Sequence, residues 1–170
     1  MALARRVALP LLPPAMNDPA APTVPATGRM DGNAHLFPLR VYFEDTDVMG
    51  IVYYANYLKW FERARWEMLR ALGIDLLGSQ DRGEGAYAVM EANLKYRQSA
   101  RLDDAIVIRS SADEIRAASV LVRQQAWRGE ELLVDGTLRV GFISPEGRPI
   151  RQPDAWRAAF SKLLPAKEPA

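Results

Sequence analysis

The sequence predicts an α+β domain in which an antiparallel sheet wraps around one long central helix. Two observations carry that expectation. Between residues 57 and 72 apolar side chains recur at helical spacing, and Gly73 stands where a C-cap belongs. After this helix come four stretches of strand-like pattern, residues 86–97, 104–111, 119–128 and 131–143, joined by connections short enough for antiparallel neighbours. A sheet of this kind must cover the apolar face of the helix. Its other face and an edge strand still need cover, and pairing with a second copy is the economical solution.

At 170 residues the chain is one domain's worth. Residues 1–34, with Pro10, Pro13, Pro14, Pro19, Pro22 and Pro25, are expected to be a disordered or weakly ordered extension before a single domain at 35–164. The first residues, MALARRVALPLLPPAM, faintly suggest a signal peptide, but Pro10 interrupts the short apolar run. Cytoplasmic residence is therefore expected, with Met1, Met16 and Met30 as alternative starts. Residues 37–44 form the first strand, with Leu39, Val41 and Phe43 on one face and Arg40, Tyr42 and Glu44 on the other. A loop to Gly50 leads into the helix, whose apolar stripe is Tyr57, Leu58, Phe61, Ala64, Met68, Leu69 and Leu72. Residues 75–85, holding three Gly, read as a loop with one helical turn. Past the strands, 144–149 is a turn, 154–164 has helical spacing, and 165–170 is a frayed tail.

Composition removes several classes of chemistry. With 22 basic and 21 acidic residues the net charge is +1, which implies neither nucleic acid nor a membrane surface as partner. No apolar run reaches the roughly 18 to 20 residues that span a bilayer. There is no Cys, so disulfides, thiolate catalysis and Cys-ligated metals are excluded. His35 is the only histidine, which argues against a Ser-His-Asp triad or a His-based zinc site.

The informative stretch is the acidic turn before the helix. Glu44, Asp45 and Asp47 precede Gly50, so a carboxylate sits close to the first N–H groups of the helix. Hydrolysis of an ester or thioester builds negative charge on the carbonyl oxygen, which unsatisfied N–H groups at a helix N-terminus stabilise. A carboxylate beside them can attack the carbonyl carbon or activate a water. Asp47 is the candidate, and Gly50 lets the chain turn tightly and approach a ligand. A capping or turn role is the competing account of such a cluster.

Several motifs in order carry a resemblance to a known family. They are Arg40-Val41-Tyr42, Glu44-Asp45-Thr46-Asp47, the run Gly50 through Tyr57, Glu62-Arg63-Ala64-Arg65 with Glu67, and Lys95-Tyr96 followed by Ala100-Arg101-Leu102-Asp103-Asp104. The chain resembles the hotdog-fold acyl-CoA thioesterases of the 4-hydroxybenzoyl-CoA thioesterase type, and more closely their Tol–Pal-associated group, over about residues 37 to 163. The resemblance implies an acyl-CoA substrate, Asp47 as catalytic carboxylate, and the backbone N–H of Tyr54 polarising the thioester carbonyl. It further implies a homodimer with active sites between subunits, commonly assembled into a homotetramer, and no metal or redox cofactor. Many relatives carry His where Tyr54 stands and Pro where Ser99 stands.

Around that pair, Gly50, Val52 and Tyr53 are candidates for contact with substrate, and Met49 and Ile51 for the acyl pocket. Lys95, Arg97, Arg116 and Arg123 are candidates for the CoA phosphates, Lys95 and Arg116 foremost. Asp45 and Glu44 are assigned structural roles. Glu62 pairs with Arg65 on the helix and is the rival carboxylate. Trp60, Phe61, Trp66 and Met68 belong to the core or to an interface. Acyl carrier protein stays open as the acyl donor. Two other functions stay open as well: a non-hydrolytic hotdog protein binding acyl-CoA or acyl carrier protein, and an interaction protein of a cell-envelope complex.

Overall fold

The computed structural model describes Pro25 and residues 27–165. Most of the expected N-terminal extension, and the tail from residue 166, lie outside the described residues. In chain order the elements are β1 (Arg29–Asp31), β2 (Ala34–Arg40), a 3-10 turn (Phe43–Asp45), α1 (Asn56–Ala71), α2 (Leu76–Asp81), β3 (Ala86–Tyr96), β4 (Ala105–Ile115), β5 (Ser119–Arg128), β6 (Glu131–Ile143) and α3 (Asp154–Ser161). The strands form one six-stranded sheet in the order β1-β2-β4-β5-β6-β3, antiparallel throughout.

The sheet starts earlier than expected, because residues 31–34 close a hairpin. Asp31 pairs with Ala34 across a two-residue turn whose first residue, Gly32, has φ +57°. Such turns favour a glycine at that position. The first expected strand is shifted towards the N-terminus. It stops at Arg40 because the Asp45 carboxylate accepts the Tyr42 N–H at 2.9 Å, turning the chain into the 3-10 turn. As a consequence Val41 is buried while Phe43, expected on the same face, is exposed. Pro38 is tolerated within β2 because at that point the strand has a neighbour on one side only.

One side of α1 packs on the sheet. Tyr57, Trp60, Phe61 and Ala64 join Ile106, Ile108, Ala126, Leu133, Val134 and Leu138 in one cluster. Met68 and Leu69 join Ile74, Leu76, Val120, Val122, Val140, Phe160 of α3 and Leu163 just beyond it in a second. Leu58, placed in the stripe by spacing, is exposed, and Trp60 takes its place. Arg65 is buried as well. It donates to Gln124 Oε1 at 3.1 Å and pairs with Glu62, while Gln124 Nε2 donates to the Phe61 carbonyl at 2.8 Å and to Ser110 Oγ at 3.0 Å. Burial brings the Arg65 guanidinium down to about 10, still charged at neutral pH. Among the described residues no helix is long and apolar enough to cross a membrane.

Candidate active site

The acidic turn is a short hairpin leading into α1. Thr46 bridges Val52, the Asp47 N–H donates to the Ile51 carbonyl at 2.9 Å, and the Gly50 N–H returns to the Asp47 carbonyl at 2.9 Å. Gly50 has φ +69°, a backbone that L side chains rarely adopt. The hairpin is anchored on two sides. Val52 N–H donates to Ala100 O at 2.9 Å and Ile51 bridges Arg101, which fixes it to the segment before β4. Tyr53 N–H and Asn56 Nδ2 both donate to the Asp45 carbonyl at 2.9 Å. Asp45 thus spends its side chain on Tyr42 and its carbonyl on the helix start, a structural role.

Asp47 is half-buried at the tip of this hairpin. Its Oδ1 accepts the Met49 N–H at 2.8 Å, and among the described residues Oδ2 takes no hydrogen bond. Tyr54 stands two residues before the start of α1. Its N–H likewise has no acceptor among the described residues, so it is one of the orphan donors that a helix start presents. Around them Tyr42, Phe43, Val48, Met49, Tyr53 and Tyr54 are exposed, Val48 almost completely at 99%.

The other sequence candidates divide by location. Val52 is buried in the core, so its side chain packs inward while its backbone holds the hairpin. Tyr53 is exposed beside Tyr54, ring centroids 4.7 Å apart. Lys95 is exposed near the end of β3, next to Tyr96, whose ring meets Tyr54. Arg116 lies past the far end of β4, whose near end follows Ala100 and Arg101, the residues that hold the hairpin. It therefore stands about 35 Å along the strand from the hairpin within one chain, where it donates to Glu114 at 2.9 Å. Arg123 is held between Asp113 and Asp135, and Arg97 is 3.9 Å from Asp135. Glu62 accepts from Trp66 Nε1 at 2.9 Å and pairs with Arg65, so its oxygens are engaged. It borders a cavity of about 210 Å³ with Trp66, Leu69, Tyr87, Val89 and Phe160.

Two aromatic residues with site contacts were not among the site candidates, Tyr57 having been read only as part of the helix's apolar stripe. Tyr57 is buried in α1 and its hydroxyl accepts the Ala100 N–H at 3.4 Å, while burial raises its phenol above the usual range. Tyr96 donates to the Tyr54 carbonyl at 3.2 Å. The Lys95-Tyr96 pair was visible as part of a motif, but its partner across the fold was not.

Residues 49–134 match the model of the thioesterase superfamily. The chain belongs to that superfamily. It is 35% identical over 132 residues to the acyl-CoA thioesterase YbgC of Haemophilus influenzae, spanning 77% of this chain and 97% of that one. It is 36% identical over 105 residues to the acyl-CoA thioester hydrolase YbgC of Escherichia coli, spanning 61% and 78%. Among solved structures, a probable thioesterase from Bartonella henselae superposes with a TM-score of 0.66 at 31% identity, covering 71% of this chain and 99% of that one. The six-stranded antiparallel sheet around α1 is the hotdog fold of these thioesterases. The matched superfamily span begins just after Asp47 and includes Tyr54.

Proposed function

We propose that this thioesterase hydrolyses acyl-CoA thioesters to the free acid and CoA, with Asp47 as the catalytic carboxylate and the Tyr54 N–H as the oxyanion donor. One observation carries the reading: a short hairpin holds at its tip a carboxylate whose Oδ2 has no partner among the described residues, and leads directly into a helix start whose Tyr54 N–H has none among them either. Oδ2 is available to attack the thioester carbon or to take a proton from water. The Tyr54 N–H meets the charge that develops on the thioester oxygen, and one donor of this type is worth roughly 3 to 4 kcal/mol. The exposed Lys95, with no carboxylate partner among the described residues, is the candidate for a CoA phosphate on this side of the domain.

The active form in this reading is a homodimer. Among the described residues β3 is hydrogen-bonded to β6 alone, so its outer edge carries unpaired backbone groups, and Val89 and Met90 on it are exposed. Apolar side chains around the acidic hairpin are exposed in the single chain, and a second copy would remove water from the carboxylate's surroundings. A chain without Cys fits the reducing conditions of the cytoplasm, the compartment in which we place the enzyme.

The test is release of CoA from short-chain, long-chain and aromatic acyl-CoA esters by the natural chain and by Asp47→Asn. Loss of turnover in a variant with an unchanged melting temperature is expected. Turnover near the natural rate overturns the assignment, and Asp45→Asn and Glu62→Gln then show whether a rival carboxylate carries the reaction.

A further inference from the structure

The two backbone groups of Tyr54 have different surroundings. Its N–H is free, as described above. Its carbonyl lies outside the hydrogen-bond ladder of α1, which begins at the N-cap Ala55, the acceptor of the Leu58 N–H at 3.1 Å. Among the described residues no backbone N–H reaches the Tyr54 carbonyl, and its donor is the Tyr96 hydroxyl at 3.2 Å.

Tyr96 is well placed to hold this bond. It is the last residue of β3 and pairs with Val134 of β6, so the sheet rather than a loop sets its position. Its ring meets that of Tyr54 edge-on at 6.2 Å and that of Tyr57 at 5.9 Å. Tyr57 is tied by its hydroxyl to Ala100, whose carbonyl holds Val52 of the acidic hairpin. Burial, and the neighbouring Tyr54 phenol, keep the Tyr96 phenol above its ordinary value, so the hydroxyl stays a donor. On the other side of the Tyr54 amide, the Tyr53 N–H is fixed to the Asp45 carbonyl at 2.9 Å.

We propose that Tyr96 is a positioning residue for the oxyanion donor, resting on the thioesterase reading above. The Tyr54 N–H shares its peptide plane with the Tyr53 carbonyl, which accepts the Asn56 N–H at 2.9 Å, and Tyr96 holds the next plane through the Tyr54 carbonyl, so both planes that meet at the Tyr54 Cα are tied. Tyr96 does not touch the reacting atoms. It restrains the Tyr54–Ala55 peptide plane, which no backbone N–H among the described residues holds, and so limits rotation at Tyr54 next to the donor, the kind of preorganisation that costs no movement when charge develops.

Tyr96→Phe keeps the ring contacts and deletes the bond. The expected result is a fall in kcat of roughly three- to tenfold with KM changed by less than about twofold, the range one such hydrogen bond supplies. The melting temperature stays, and the Tyr54 amide proton and nitrogen resonances move. A purely structural role would shift melting temperature or KM and leave kcat. Natural kcat together with an unmoved Tyr54 amide resonance in Tyr96→Phe overturns the proposal. Asp47→Asn runs alongside. If it abolishes CoA release, the thioesterase reading stands whatever Tyr96→Phe does. If the natural chain releases no CoA from any thioester, both readings fall.

Discussion

The first turn of α1 and its second half treat polar groups in opposite ways. At the first turn the Tyr54 N–H has no acceptor among the described residues, the Asp47 Oδ2 has no donor, and Tyr53, Tyr54 and Leu58 are exposed. Further along, Arg65 is buried with its charge met by Glu62 and Gln124, and Gln124 also satisfies the Phe61 carbonyl and Ser110. One helix therefore keeps hydrogen-bonding capacity in reserve at one end and spends it at the other. A buried polar network stabilises only when its members are partnered, whereas a group meant for a transition state must be unspent beforehand. The difference predicts that substitutions at the two ends separate activity from stability.

The largest effect is expected at the first turn. Asp47→Asn should lower turnover by roughly a hundred- to ten-thousand-fold, the range of a positioned acid or base. Its melting temperature should hold, because an amide oxygen can still accept the Met49 N–H. A parallel loss of stability would break the comparison. In the packed cluster under α1, Phe61→Ala should cost about 3 to 5 kcal/mol in denaturant unfolding, since the ring is fully buried. The folded fraction of that variant should keep its rate per active molecule.

Gln124→Ala sharpens the contrast, because it removes the partner of several groups at once. Arg65 Nη1, the Phe61 carbonyl and Ser110 Oγ lose a bond, for an expected cost of about 1 to 3 kcal/mol per unsatisfied group at most. The smallest effect concerns pH. His35 is buried on β2, with Nε2 against the Thr27 carbonyl at 2.9 Å and Glu67 as the nearby carboxylate. Burial outweighs both and holds the imidazole below its usual 6.5. Below that pH the unfolded chain takes up a proton that the folded chain does not. Stability is thus complete above 6.5 and is lost as pH falls, by at most about 1.4 kcal/mol per pH unit. Melting curves of His35→Gln should lack this component, and an identical pH slope in both chains would remove the claim.

Where the sequence was legible, the signal was local. The alternation at 119–128 and 131–143 matches β5 and β6 at both ends, and the helical spacing from 57 onward matches α1 within a residue. The hairpin at 31–34 was missed although its Asp-Gly-Asn signal is as local, because those residues were assigned to the N-terminal extension. The end of β2 was misplaced because a side chain, Asp45, outcompeted the ladder for the Tyr42 N–H, which alternation does not register.

By itself, then, the sequence determined the central helix and the strands that follow it, the acidic turn before that helix and the exclusion of thiol chemistry, because periodicity, turn chemistry and composition act over a few residues. Only the tertiary structure decided which distant residues meet. The strand order β1-β2-β4-β5-β6-β3 carries Arg116 away from the hairpin and brings Tyr96 to a carbonyl 42 residues earlier in the chain. It also turns Arg65, read from the sequence only as the ion-pair partner of Glu62, into the buried centre of a network. Contacts of that kind depend on which sheet neighbours close over the helix, and no local pattern encodes that choice.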